Sequence, residues 1–371
     1  MAENFALAAL ISAVLSLGIN RVVVRATDRT PLSDQRNDLG AVQAAHSRPT
    51  SRLGGLGVFT GFGAASLLLS HVTGSMLPIL LLISALPIFL AGLLEDLGNG
   101  QSPRRRLLAA AISAVLAIGL SQTWVRETGL YGLDHLLAII PIGLGLTVLW
   151  SAGVCNAFNL IDGVNGLAGF LASVISMALG YVAWTADDIL MTQIAIVLAV
   201  AVAGFLIFNW PWGKVFLGDG GAYTTGHLLV WISVLICWRN PDTSYAALSL
   251  LFFWPVADTF LAMWRRSRRS RKMMHPDYLH VHQFVMRAIQ LRWKLPLAQA
   301  NPATTLVLAP FFMTPVLSAV CLVSQATLAF MAWLLFAILF TASYQVGIKQ
   351  VRRQGWRRSR KQADDFVQPT E

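Results

Sequence analysis

Residues 155–169 read C-N-A-F-N-L-I-D-G-V-N-G-L-A-G and lie between two long apolar runs. Asn156, Asn159, Asp162 and Asn165 recur at every third position, which would place them close to one face of a continuing helix. Polar and ionisable side chains are costly in hydrocarbon, so their repetition at the mouth of a membrane helix suggests a function. A row of oxygen ligands suits a hard cation such as Mg²⁺ and a phosphate-bearing substrate. The alternative is an asparagine- and glycine-rich loop between two spans.

Apolar runs of this kind fill most of the chain. Of its 371 residues, 56% are hydrophobic and 12% are charged, whereas soluble proteins carry about 25% charged residues. The runs are roughly 17 to 23 residues long, and about 20 residues span a bilayer. We therefore predict an all-α, polytopic integral membrane bundle of about eleven transmembrane helices. The predicted spans are residues 5–20, 53–71, 76–94, 106–121, 136–154, 166–184, 189–208, 222–238, 244–263, 303–323 and 326–347.

The basic residues predict how the chain is oriented. All but two of the 28 lysines and arginines fall in alternate segments between the spans, and the two exceptions are Arg126 and Arg239. Because basic residues concentrate on the cytoplasmic side, the N-terminus is predicted outside and the C-terminus inside. This distribution explains the positive charge without nucleic acid as a partner.

The same topology predicts the domain organisation. A single membrane domain, residues 1–348, would precede a basic cytoplasmic tail, residues 349–371. The predicted cytoplasmic loops are residues 21–52, 95–106, 155–165, 209–221 and 264–302.

Two further acidic motifs lie at predicted cytoplasmic ends of spans. Glu95 and Asp96 end the third span and precede the triplet Arg104-Arg105-Arg106. The carboxylates could be solvated loop residues, and the arginines could hold phosphates or anchor the span. Asp219 stands in F-L-G-D-G-G, residues 216–221, where free N–H groups can bind an anion and a carboxylate can hold Mg²⁺ against it. A simple turn is the alternative for this motif.

A third polar segment carries His280 and His282 together with Asp277, after an arginine-rich run at 265–272. An imidazole can hold a pyrophosphate oxygen or protonate a leaving group, whereas a zinc site would want more ligands. The arginine run could anchor the span or attract phosphate. Asp258, inside the ninth predicted span, could pair with an arginine or belong to the same site.

The order of these motifs resembles that of the polyprenyl-phosphate N-acetylhexosamine-1-phosphate transferases, the glycosyltransferase 4 family. The motifs are H-S-R-P-T-S-R-L-G-G (46–55), L-E-D (94–96), S-P-R-R-R-L-L (102–108), N-A-F-N-L-I-D-G-V-N-G-L-A (156–168), F-L-G-D-G-G (216–221) and D-Y-L-H-V-H (277–282). The chain is closer to the branch that uses UDP-N-acetylhexosamine than to the muramyl-pentapeptide branch. That second branch has aspartate at the position of Asn165 and three consecutive histidines in the last motif.

The resemblance implies a reaction and its partners. A polyprenyl phosphate such as undecaprenyl phosphate would attack the β-phosphorus of a UDP-N-acetylhexosamine, and UMP would leave. The product, a polyprenyl-diphospho-sugar, would begin a cell-surface polysaccharide such as an O-antigen, a capsule or another cell-wall glycan. The enzyme would be a multi-pass protein among the lipids of the bacterial inner membrane, with a periplasmic N-terminus and a cytoplasmic active site. A homodimer is one possible assembly.

The resemblance also implies roles for individual residues. Mg²⁺, with Mn²⁺ as a substitute, would be held by Asn159 and Asp219. The implied catalytic residues are Asp96, Asp162, His280 and His282. The implied substrate-binding residues are Glu95, Asn165, Phe216, Arg104 and Arg52. Among these, Asp96 would orient or deprotonate the lipid phosphate, and Asn165 and Phe216 would hold uracil.

Departures from the family pattern sharpen these expectations. The family has paired aspartates where this chain has Glu95 and Asp96, a final histidine where it has Gln283, and commonly proline where it has Ser51. We expect Asp96 to act on the lipid phosphate and Glu95 to adjust local charge or pair with Arg104.

The competing functional class is a membrane transporter with a polar site at broken helices. The sequence has no inverted repeat, and its polar motifs gather at one membrane face rather than at mid-membrane. An intramembrane metalloprotease would need H-E-x-x-H, which is absent from the sequence.

Overall fold

The computed structural model describes residues 2–29, 50–268 and 280–367, and these residues form a bundle of α-helices, which confirms the predicted all-α membrane class. Asp277 and parts of two predicted loops, at 30–49 and 269–279, lie outside the described residues. In chain order the helices are α1 (Ala2–Arg29), α2 (Gly54–Thr73), α3 (Leu77–Asp96), α4 (Pro103–Ser121), α5 (Tyr131–Leu137), α6 (Ile140–Ile161), α7 (Leu167–Thr185), α8 (Ile189–Asn209), α9 (Gly218–Arg239), α10 (Tyr245–Ser249), α11 (Phe253–Arg268), α12 (Val281–Trp293), α13 (Leu297–Cys321) and α14 (Ala326–Val367).

Helices occupy all the predicted spans. Within the described ranges, ten helical segments are long and apolar enough to cross a membrane, and α10 and α11 together form one of them. The remaining predicted span is α4, whose first turn carries three arginines, so that only residues 107–121 are uninterrupted by charge. α4 nevertheless packs against α3 and α6 inside the bundle. α14 continues without a break through the predicted boundary at residue 348.

α9 lies at the centre of the bundle. Every residue from Gly218 to Cys237 is buried, and α3, α6 and α2 are among the helices that surround it. α14, by contrast, lies at the periphery, with most of its apolar stretch exposed. Polar groups at the start of α9 are therefore shielded from lipid on all sides by protein.

Glycines allow two helices to approach the start of α9 closely. A methyl group at Gly92 of α3 would lie 2.5 Å from the Cα of Gly220, and one at Gly55 of α2 would lie 2.3 Å from the Cα of Gly221. Small residues at such crossings let helix backbones touch, which is a common way to pack helices in membranes. The G-D-G-G motif is thus held between α2 and α3.

The two basic residues that break the charge pattern lie at the other end of α9. Arg239 ends α9 and pairs with Asp188, at 2.5 Å between Nε and Oδ2. The guanidinium of Arg126 lies 3.9 Å from the ring centre of Trp238 and 4.0 Å from that of Trp124. α9 has 22 residues and is therefore about 33 Å long. Arg126 and Arg239 are consequently about a membrane thickness away from the G-D-G-G motif. Which end of α9 faces the cytoplasm stays a prediction, and so does the homodimer.

Candidate active site

Two carboxylates from neighbouring helices meet the first N–H groups of α9. The N–H of Gly218 donates to Oδ2 of Asp162 at 2.8 Å, just after the end of α6. The N–H groups of Asp219 and Gly220 donate to Oδ1 and Oδ2 of Asp96 at 2.9 and 2.8 Å, at the end of α3. The first N–H groups of a helix have no partner within the helix and attract negative charge. The helix start therefore joins Asp96 and Asp162 in one cluster.

The backbone at Gly218 makes this arrangement possible. Its φ angle is +73°, and a methyl group there would lie 1.8 Å from the carbonyl oxygen of Arg52 and 2.7 Å from Oδ2 of Asp96. Only glycine adopts this conformation readily while leaving room for such close neighbours. A larger residue at position 218 would therefore push Asp96 and the backbone of Arg52 away from the start of α9.

A short extended pairing fixes the chain on both sides of this turn. The N–H of Phe216 donates to the carbonyl of Ser51 at 2.8 Å, and the N–H groups of Gly54 and Gly55 donate to the carbonyls of Phe216 and Leu217, both at 2.9 Å. Arg52 lies within this pairing, and its side chain is exposed. The segment before α2 is thus tied to the segment before α9.

The side chain of Asp219 lies between an amide and a guanidinium. Nδ2 of Asn159 donates to its Oδ1 at 2.9 Å, and Nη1 of Arg106 donates to its Oδ2. The guanidinium of Arg106 also lies 5.9 Å from the ring centre of Tyr223, one turn further along α9. Asn159 and Asp162, three residues apart on α6, therefore contact the same short stretch of α9.

Three carboxyl groups lie close together in this cluster, and Arg106 and Arg52 lie beside them. Burial raises the pKa of the Asp162 carboxyl well above its usual range, and the nearby Asp96 and Asp219 raise it further. The N–H of Gly218 and the charge of Arg52 act in the opposite direction on this pKa. A bound cation would favour the ionised form of these carboxyl groups and would oppose the effects of burial and of their mutual proximity.

The two histidines form a second cluster with Asp258. Nδ1 of His280 lies 3.1 Å from Oδ2 of Asp258, and the N–H of Val281 donates to Oδ1 at 3.1 Å. Nδ1 of His282 lies 3.7 Å from the same Oδ2, and burial lowers the pKa of His282 while Asp258 opposes that change. A methyl group at Gly163 would lie 3.9 Å from Nε2 of His282. This second cluster is therefore next to the turn that carries Asp162.

Glu95 and Arg104 lie at the edge of the acidic cluster. Oε2 of Glu95 accepts from the N–H of Gln101 and so closes the turn between α3 and α4. Arg104 and Arg105 are exposed on the first turn of α4, and Arg106 of the same triplet contacts Asp219. The sequence identified the triplet but could not say which arginine faces the site, because that depends on how α4 is rotated against α3 and α6.

Asn165 and Phe216 are buried, with 4% and 8% of their surfaces exposed. Nδ2 of Asn165 donates to the backbone carbonyl of Pro211 at 2.9 Å, and the backbone carbonyl of Asn165 accepts from the hydroxyl of Thr305 at 2.6 Å. Its N–H donates to Oδ1 of Asn301 at 2.7 Å. These contacts hold the loop before α7 to α13 and to the loop after α8, and the role of Asn165 and Phe216 in holding uracil stays a prediction.

Comparison with known proteins finds similarity to one family. The sequence model of one family, described as Glycosyl transferase family 4, matches residues 78–237. A probable undecaprenyl-phosphate N-acetylglucosaminyl 1-phosphate transferase of Bacillus subtilis is 26% identical over 285 residues, which cover 75% of this chain and 76% of that protein. These matches support the family of polyprenyl-phosphate N-acetylhexosamine-1-phosphate transferases.

Two other relatives have names of the same kind. A decaprenyl-phosphate N-acetylglucosaminephosphotransferase of Mycobacterium tuberculosis is 27% identical, covering 72% of this chain and 74% of that protein. An undecaprenyl-phosphate alpha-N-acetylglucosaminyl 1-phosphate transferase of Thermotoga maritima is 32% identical over 211 residues, covering 57% of this chain and 62% of that protein. The region matched by the family model contains the carboxylate cluster of Asp96, Asp162 and Asp219 and ends within α9. The cluster of Asp258, His280 and His282 lies beyond it.

Proposed function

We propose that this protein transfers a sugar-1-phosphate from a UDP-N-acetylhexosamine to polyprenyl phosphate, with release of UMP, and so begins a cell-surface polysaccharide. The observation that carries the proposal is the meeting of Asp96, Asp162 and Asp219 at the buried start of α9, at one end of a membrane bundle. The curated relatives named above are polyprenyl-phosphate N-acetylglucosamine-1-phosphate transferases. Neither they nor the position of the polar residues at one end of α9 supports a transporter.

We propose Mg²⁺, with Mn²⁺ as a substitute, as the cation of this cluster. Asp219 and Asn159 offer hard oxygen donors, which these cations prefer. No three His, Cys, Asp or Glu side chains within the described ranges are close enough to form a metal site by themselves. That agrees with a cation held by one or two protein oxygens together with phosphate oxygens of a substrate, as is common for Mg²⁺. When bound, the cation would neutralise diphosphate charge.

The protein residues divide the remaining work. Arg106 at the start of α4 and Arg52 before α2, both beside the carboxylate cluster, supply positive charge for phosphate oxygens. Both oxygens of Asp96 accept N–H groups of α9. We therefore propose that Asp96 acts mainly by holding the turn that carries Asp219, and not as the base for the lipid phosphate. His280 and His282 would contact the diphosphate or the sugar.

We propose that the start of α9 faces the cytoplasm, where a UDP-sugar would be available. The support is the charge distribution of the sequence, in which all lysines and arginines except Arg126 and Arg239 fall in alternate segments between the predicted spans. Arg126 and Arg239 themselves lie at the far end of α9. A reporter fused after Glu371 should be cytoplasmic, and one inserted beside Arg126 should be external. Finding both reporters on the same side of the membrane would refute the orientation.

Release of UMP tests the proposed function directly. Purified protein in detergent or nanodiscs, with undecaprenyl phosphate and Mg²⁺, should release UMP from at least one UDP-N-acetylhexosamine. The donors would be a panel of UDP-GlcNAc, UDP-GalNAc and deoxy-aminosugar nucleotides, because the contacts that read the sugar are not evident. Omitting the polyprenyl phosphate is the control, since release without an acceptor would indicate hydrolysis. No acceptor-dependent UMP with any donor would overturn the proposal.

A further inference from the structure

Asp258 is a buried carboxylate inside a membrane-length helical segment, with 1% of its surface exposed. A charge in that position is costly unless it has close partners. Its partners are two imidazole rings and one N–H group, all at the start of α12. A residue that served only to anchor α12 would need no more than the contact with the N–H of Val281. The contacts with both rings therefore call for a further explanation.

The geometry of the rings gives a direction to these contacts. His280 and His282 are stacked, with centres 5.5 Å apart and planes 16° from parallel. Nδ1 of each ring faces Asp258, at 3.1 and 3.7 Å. Because Nδ1 and Nε2 lie on opposite edges of an imidazole, each Nε2 faces away from Asp258. For His282 that edge lies beside Gly163, the residue after Asp162.

We propose that Asp258 is a positioning residue, whose carboxylate holds the rings of His280 and His282 with their Nε2 atoms presented to the diphosphate or sugar of the donor. The inference rests on the proposed function for the identity of that ligand. Nδ1–H of His280 can donate to Asp258 at 3.1 Å, and such a bond sets the tautomer and the orientation of the ring. Nδ1 of His282, at 3.7 Å, is beyond hydrogen-bond distance and interacts with the carboxylate through charge. A positive charge formed on the ring is also stabilised by the carboxylate, and Nε2–H can then donate to an anionic oxygen.

Asp258→Asn is the variant that separates positioning from anchoring. Asparagine is close to aspartate in shape, and its side-chain oxygen can still accept a hydrogen bond from the N–H of Val281. It carries no charge, however, so the atom that faces the histidine rings would be an amide nitrogen or a neutral amide oxygen. We expect kcat for UMP release to fall by about 10²-fold, since a misplacement of about 1 Å in an active site can cost that much. Asp258→Glu, which restores the charge, should recover part of this loss.

Asp188→Asn is a matched control. Asp188 is also buried and ion-paired, but with Arg239 at the far end of α9. This variant should lower the melting temperature at least as much as Asp258→Asn and leave kcat within a few-fold of wild type. If the two variants lower kcat equally, Asp258 acts on stability and the proposal is wrong.

A double-mutant cycle then asks whether Asp258 acts through the histidines. In a background where both His280 and His282 are glutamine, Asp258→Asn should change the residual kcat by less than about threefold, because coupled residues are not additive. An undiminished effect of Asp258→Asn in that background would overturn the proposal.

A spectroscopic measurement answers the question without relying on turnover. Histidine ¹⁵N signals of the protein in bilayers, assigned by difference with His280→Gln, report the tautomer of His280. We expect an Nδ1–H form in the wild type and a changed ring spectrum in Asp258→Asn. An unchanged spectrum would contradict the inference. If the wild type shows no acceptor-dependent UMP release, the proposed function fails, while this spectrum still decides what Asp258 does to the rings.

Discussion

Asp219→Ala should abolish UMP release, with a fall in kcat of about three orders of magnitude or more, comparable to the loss of a main electrostatic group in other active sites. Asp219 is the carboxylate that meets Asn159 on one oxygen and Arg106 on the other. Alanine removes the proposed metal ligand and leaves the guanidinium of Arg106 without that carboxylate. Both effects disturb the groups that would neutralise the diphosphate.

The measurement is kcat at saturating UDP-sugar over a wide range of Mg²⁺ concentration. If Asp219 were only one of several metal ligands, a higher Mg²⁺ concentration would restore the kcat of Asp219→Ala. We expect no such recovery of kcat. Asp242→Ala is the matched control, because Asp242 is an exposed aspartate just beyond the other end of α9 and should leave kcat unchanged. Substantial turnover by Asp219→Ala at any Mg²⁺ concentration would remove Asp219 from the proposed site.

Asp96→Asn should lower kcat by about two orders of magnitude, whereas Glu95→Gln should stay within a few-fold of wild type. Both oxygens of Asp96 accept N–H groups, at 2.9 and 2.8 Å. Asparagine offers only one oxygen, so its amide group would face an N–H donor, an unsatisfied contact that costs about 1–3 kcal/mol. The turn that carries Asp219 would shift to relieve it.

Glu95→Gln is the matched control for this effect, since it removes a charge from the adjacent residue at constant shape. Its amide oxygen can still accept from the N–H of Gln101, so the turn after α3 should persist. Measuring kcat and the melting temperature of both variants decides the matter. The assignment fails if Glu95→Gln is as inactive as Asp96→Asn, or if Asp96→Asn keeps wild-type turnover.

The sequence pattern at 156–165 was informative because of its spacing, but only part of it reaches the site. Asn159 and Asp162 contact α9, whereas Asn156 bonds to the carbonyl of Ala152 on its own helix at 2.8 Å. α6 ends at Ile161, and Gly166 has a φ of +83° at the start of α7. The helix face that the spacing predicted therefore stops before Asn165, which turns toward Pro211 and α13.

Arg106 and Asp258 could not be selected from the sequence for a different reason. Three consecutive arginines differ only in the direction in which each leaves the helix, and packing of α4 against α3 and α6 determines that direction. Asp258 was visible as a charge within an apolar run, but its partners are 22 residues or more away in the chain. A single sequence without spatial contacts does not distinguish an arginine partner from a histidine partner.

The sequence by itself determined the all-α membrane class, the approximate spans and the family resemblance, because burial in lipid demands long apolar helices and the family motifs occur in order. Tertiary structure alone decided which polar groups meet. Residues from four separate segments meet at the start of α9, namely Arg52, Asp96, Arg106 and the end of α6 with Asn159 and Asp162. Contacts of that kind depend on helix rotation and on backbone approach within a few ångströms, and neither quantity is encoded in the periodicity of apolar residues.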